Sequence, residues 1–198
     1  MSPVASCSVY LTDSPLPGVQ EVLSALVPAL IQLCQDSVAA VRLAAGSQLG
    51  LTIARMYEGL PSGIAPDADM TAPVAKVCSL AYCPAFQQRQ VYALTFEGIA
   101  QALSPEIVML YFWPAFAALA TDSVSNVRLS VCRTLLRLVL KPLGGENTDL
   151  RPGNILSSRG HADDFISQAS VRAIVLDFVE DSDQEVVRVA NQIMVSIR

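Results

Sequence analysis

Three stretches of the chain carry an apolar residue at every fourth position: Val41, Ala45 and Leu49; Val127, Val131 and Leu135; Val186, Ala190 and Met194. Residues at that step lie on one face of an α-helix, so each stretch is predicted helical with an inward stripe. Five residues before each stripe stands an aspartate (Asp36, Asp122, Asp181), and the first two copies share the string Asp-Ser-Val-x-x-Val-Arg-Leu. Before each aspartate lies a second apolar run, LVPALIQLC, FWPAFAALA and VRAIVLDFVE. The predicted unit is therefore helix A, a tight turn containing Asp-Ser, and helix B. Pro28 and Pro114 are expected near the start of helix A, where the missing N–H costs little.

A fourth, degenerate unit fits between the first two. APVAKVCSLAYC is its helix A, PAF its turn and QQRQVYALTFEGIAQAL its helix B, with Gln88 at the Val position and Tyr92 and Phe96 on the buried face. Gln88 and Val127 are 39 residues apart, close to the roughly 40–47 of two-helix repeats. The longer intervals on either side hold the loop EGLPSGIAPDADM and the Gly-rich, polar KPLGGENTDLRPGNILSSRGHADD. The predicted units span about 19–57, 72–103, 105–140 and 165–198, with an irregular segment at 1–18 and inserts at 58–71 and 141–164. A single helix pair cannot bury its apolar face, so the pairs must stack. The expected fold is all-α, an α–α superhelix of about four helix pairs. In it the aspartates are expected to cap helix B. Arg42, Arg89, Arg128 and Arg188 are expected to pair with aspartates of neighbouring units, as a ladder of partly exposed rungs each contributing on the order of 0–1 kcal/mol.

Composition narrows the partners. Of 198 residues 52% are hydrophobic, only 6% aromatic and 16% charged, which suits close-packed helices and leaves a surface low in charge, part of it expected to be covered by something else. A net charge of −5, with 13 Lys and Arg spread along the chain, disfavours nucleic acid and anionic membrane. The longest apolar run, Ile107–Ala120, contains Pro114 and is too short to span a bilayer. The first residues lack the pattern of a signal peptide. Five cysteines and no glycosylation sequon disfavour a secreted disulfide framework. Cys78 and Cys83 invite a zinc reading, but no second Cys/His pair completes four ligands. The expectation is a soluble protein without cofactor or metal in a reducing compartment, cytoplasmic, with the nucleus left open as a second location.

The Asp-x4-Val-Arg turn, with Ala or Val four residues on and Leu at eight, resembles the HEAT repeat. Within that family the order of CPAFQQRQVYALTFEGIAQAL, PAFAALATDSVSNVRLSVCRTLLRL and LDFVEDSDQEVVRVANQIMVSIR is similar to the C-terminal part of the scaffold (A) subunit of type-2A serine/threonine phosphatases, or to the related regulatory subunit of phosphatase 4. The resemblance implies a non-catalytic scaffold whose intra-repeat turns form a ridge that docks a phosphatase catalytic subunit and a substrate-selecting subunit. The matching ridge positions are Asp36, Ser37, Pro84, Ala85, Phe86, Asp122, Ser123, Asp181, Ser182 and Asp183. The second unit departs from the pattern, with Cys83 in place of the turn aspartate.

Catalytic readings are weaker. One aspartate per repeat is better explained by local structure than by acid–base chemistry, and one arginine per repeat better by the ladder than by phosphate binding. His161, the lone histidine, lies near Asp163 and Asp164 in the polar insert, where a solvated loop residue is the favoured reading. Helical-repeat hydroxylases need several His–Glu pairs and helical-repeat glycosylases a basic cleft; neither pattern occurs, nor does a P-loop or nucleophile elbow. Trp113 is expected to be buried against a neighbouring repeat, whereas Phe86, in a turn, is equally balanced between burial and service as an interface anchor. The competing non-enzymatic reading is a HEAT adaptor of another kind, a transport receptor or assembly factor that wraps a peptide or a small GTPase.

Overall fold

The computed structural model describes residues 17–58, 68–140 and 169–196, and every regular element among them is helical. Helices α1 (Pro17–Leu33) and α2 (Ala39–Glu58) form the first pair. In the second, α3 (Ala68–Ser79) tightens into a 3-10 turn (Leu80–Tyr82) before α4 (Phe86–Ala102). The first member of the third pair is composite. It consists of α5 (Pro105–Ile107), a π-helical turn (Val108–Phe112), α6 (Trp113–Ala118) and a 3-10 turn (Leu119–Thr121), and is followed by α7 (Ser125–Leu140). Helices α8 (Ala169–Val179) and α9 (Gln184–Ser196) close the series.

The B helices stack in chain order, α2 on α4, α4 on α7 and α7 on α9, while the A helices back onto them. The molecule is an α–α superhelix of two layers. One backbone bond recurs at every intra-pair turn: the N–H of Asp36, Cys83, Asp122 and Asp181 donates to the carbonyl three residues earlier, on Leu33, Leu80, Leu119 and Phe178. The degenerate second unit therefore makes the same turn as the others, although it lacks the aspartate.

Between the second and third pairs the core is aromatic. Phe96 stacks on Phe116 with ring centroids 3.9 Å apart, and Trp113, buried as expected, leans on both. Between α2 and α4 it is the absence of side chains that sets the spacing. A Cβ built on Gly50 would strike the Thr95 carbonyl, and one on Gly46 would lie 2.7 Å from Val91 Cγ1. Two buried threonines bridge the B layer. Thr95 Oγ1 donates to Gly46 O (3.1 Å), a bond shared with Val91 O in its own helix, and Thr134 Oγ1 donates to Ala93 O (3.1 Å). Thr95 and Thr134 occupy the same position of their units, and so do the two accepting residues.

Several expectations need correction. Pro28 does not open a helix: α1 begins at Pro17, so Pro28 sits inside it and forfeits one intrahelical bond. Pro114 follows the π turn, in which Trp113 N–H reaches back to Val108 O. Side chains of neighbouring helices take carbonyls at this irregularity, Tyr92 Oη–H donating to Phe112 O (2.9 Å) and Cys78 Sγ–H to Tyr111 O (3.5 Å). Helix α3 starts at Ala68, inside the stretch expected as insert. The inward stripe is fully buried in the third unit, but Val41 and Met194, in the first and last pairs of the described stack, are only half-buried. The N-terminal segment 1–16, the insert 141–164 and His161 with Asp163 and Asp164 lie outside the described residues.

Candidate functional site

The turns lie one per pair, and three of the four are built around a leading aspartate. Val38 N–H donates to Asp36 Oδ1 (2.7 Å), Val124 N–H to Asp122 Oδ1 (2.9 Å) and Asp183 N–H to Asp181 Oδ1 (2.8 Å). These amides precede the first residues of α2, α7 and α9. The repeated aspartate thus closes an Asx turn that leads into helix B, and the expected capping of the first helical turn is not its role. Asp183 does that instead, accepting from the amides of Glu185 (2.9 Å) and Val186 (3.4 Å).

At Asp122 and Asp181 the same carboxylate also receives the arginine of the preceding unit, which binds both oxygens. Arg89 Nη1 donates to Cys83 O and Pro84 O of its own turn (2.8 and 2.9 Å), while Nε and Nη2 grip Asp122 (2.6 and 3.0 Å). Arg128 repeats the arrangement, Nη1 on Asp122 O (2.7 Å) and Nε and Nη2 on Asp181 (2.7 and 2.8 Å). Each guanidinium staples its own turn and forks onto the next. With side-chain exposures of 15% and 8% for Arg89 and Asp122, and 13% and 8% for Arg128 and Asp181, these rungs are more buried than the sequence suggested. They should contribute more than surface pairs.

The electrostatics agree with the geometry. Burial pushes the Asp122 carboxyl up, but the hydrogen bonds from Arg89 and Val124 and the charges of Arg89 and Arg128 together hold it below its ordinary value. At Asp181 the hydrogen bond from Arg128 is the strongest influence and also holds it low. Arg188 is not a rung. It forks onto Glu185 within α9 (2.8 and 2.6 Å), holding that carboxyl down to about 2, because Val187 occupies the ladder position of this unit.

The first rung is open. Arg42 staples its own turn through Nη1 to Asp36 O (2.7 Å) and Ser37 O (2.8 Å), as Arg89 does with two carbonyls and Arg128 with one. Among the described residues it meets no carboxylate, because the next turn offers Cys83. The Cys83 Sγ–H turns back to Ser79 O (3.5 Å).

Residues 26–51, from the second half of α1 to the middle of α2, match the HEAT repeat family model. The match lies within the first pair. Among curated proteins none matches the sequence significantly. The three later pairs close their turns with the same backbone bond as this matched pair, and their B helices continue its stack.

Of the ridge positions singled out from the sequence, Ser37, Pro84, Ala85, Ser123 and Ser182 are exposed on the intra-pair turns. Asp122 and Asp181 are committed to the ladder, and Asp36 and Asp183 are half-buried. Phe86 packs against the core from the first turn of α4. The large apolar groups that do face solvent along the ridge are Tyr82 (66% exposed) and Val38 (54%). Sequence reasoning passed over both, although Tyr82 stands at the position held by Gln35, Thr121 and Glu180 in the other units, polar residues that mark it as facing outward. Among the described residues no cluster of His, Cys, Asp and Glu is placed to hold a metal ion. Burial raises the Cys34 thiol to about 11 and the Cys132 thiol to about 12, which suits packing and not nucleophilic chemistry.

Proposed function

We propose that the chain is a scaffold or adaptor that binds protein partners along its ridge of intra-repeat turns, and that one partner is the catalytic subunit of a type-2A-like serine/threonine phosphatase. The observation that carries the reading is the ridge itself. The second, third and fourth turns, tied to one another by buried Arg–Asp rungs, form a preorganised edge, and preorganisation lowers the entropic cost of docking. Exposed Tyr82 and Val38 supply apolar anchors of the kind that interfaces use. The phosphatase rests on the resemblance of the turn-bearing segments to that family's scaffold; partner recognition in general rests on the repeat architecture. Localisation in the cytoplasm belongs to the same proposal.

The test uses purified full-length chain and a purified type-2A-like catalytic subunit in a sedimentation or calorimetric titration. Micromolar or tighter binding that Tyr82→Ala and Val38→Ser weaken, with unchanged melting temperature, supports the reading. No binding removes the phosphatase, and capture of transport cargo or a small GTPase in a pull-down would move the function to an adaptor of that kind.

A further inference from the structure

The side of the B layer crossing α2, α4 and α7 is hollowed into a groove of about 600 Å³. Its lining includes Arg42, Arg133 and Arg137 with no aspartate or glutamate, in a chain whose net charge is −5. Apolar Leu43, half exposed, and Leu94, half-buried, lie between the charges. Arg133 and Arg137 each hold one glutamate from outside the groove, Glu185 at 3.3 Å and Glu97 at 2.6 Å, yet about half of each side chain remains exposed. Among the described residues Arg42 holds only its own turn.

We propose that this groove docks an acidic segment of a partner protein, and that a carboxylate of the segment completes the open rung on Arg42. The chemistry is already displayed twice in the molecule. On Arg89 and Arg128 the same Nη1 staple leaves Nε and Nη2 to fork onto a carboxylate of the following turn. At Arg42 the staple is that of Arg89 and the following turn has Cys83. The planar fork selects a carboxylate over a neutral acceptor. Arg133 and Arg137 favour further acidic residues along the same segment, and Leu43 and Leu94 favour apolar residues between them. Arg42 belongs both to the first turn and to the groove, but Tyr82 and Val38, which carry the phosphatase reading, do not line the groove, so either reading can fail without the other.

The experiment is fluorescence anisotropy with a labelled peptide alternating glutamate and leucine, and its lysine–leucine counterpart, titrated with the full chain. The variants are Arg42→Ala, Cys83→Asp and, on the distant exposed face of α8, Arg172→Ala. Expected is binding of the acidic peptide at least about tenfold tighter than of the basic one, weakening with salt. Arg42→Ala and Cys83→Asp should each weaken it by about tenfold or more, and Arg172→Ala should leave it unchanged. Cys83→Asp supplies the missing rung from within, so it should raise the melting temperature while it abolishes capture; this separates a closed site from a misfolded one. Equal binding of both peptides, or binding that survives Arg42→Ala or Cys83→Asp, would overturn the proposal.

Discussion

At the scale of single residues, one aspartate serves two helix pairs. Asp122 receives its own turn's Val124 amide and the fork of Arg89, so removing it breaks the turn and strands a mostly buried guanidinium. Read as a cap, its loss would cost about 1 kcal/mol; as a buried rung it should cost roughly 2–4 kcal/mol. A double-mutant cycle with Arg89→Ala and Asp122→Ala should return a coupling of about 1–3 kcal/mol, and a urea melt checks it; additive losses would show that the pair is inert. The pH dependence has a defined sign. Asp122 and Asp181 are held below their ordinary value in the folded protein. Their stabilisation is therefore complete above an unfolded-state pKa of about 4 and is lost as the pH falls through the lower folded-state values. Asp122→Asn with Asp181→Asn should flatten the acid limb of a stability–pH curve and leave its shape near neutrality unchanged.

Elements were legible wherever their contacts are local. The four-residue step of Val127, Val131 and Leu135 is a property of one helix, and all three are buried where it placed them. What a residue does for the next pair is not written in spacing. Asp122 looks like a cap in one dimension because its partner Arg89 lies 33 residues away. Thr95 and Thr134 look like ordinary polar residues, yet they bond carbonyls of the preceding B helix. Gly50 gave no turn signal and acts by letting α4 approach. Gly50→Ala would drive a methyl into the Thr95 carbonyl, a backbone atom that cannot step aside, and should destabilise by about 1–3 kcal/mol. Gly98→Ala meets only ordinary contacts at 3.4 Å, so the gain in helix propensity, up to about 1 kcal/mol, should make it neutral or stabilising. Thermal melts of the two variants should therefore move in different directions, and two equal losses would contradict the close approach of α2 and α4.

On the scale of the whole molecule, equivalent positions are not equal in cost, because a stacked solenoid draws its stability from neighbours on both sides. Val41 and Val127 occupy the same place in the repeated Asp-Ser-Val-x-x-Val-Arg-Leu string. Val127 is fully buried on α7, between α4 and α9, whereas Val41 is half-buried on α2 in the first described pair. An aspartate at 127 would be desolvated with no cation placed to receive it, a penalty of several kcal/mol. At 41 the same carboxylate keeps part of its hydration and lies in the turn of helix that carries Arg42, so the cost should be on the order of 1–2 kcal/mol. Urea melts should show Val127→Asp losing the cooperative transition and Val41→Asp keeping it with a lowered midpoint. Hydrogen exchange would locate the loss: protection should fall in α4, α7 and α9 together for Val127→Asp, since α7 joins the other two, and in α1 and α2 alone for Val41→Asp. Matched losses at the two positions would mean that the pairs fold as independent units, and the Arg89 and Arg128 rungs would then be ties between them without thermodynamic weight.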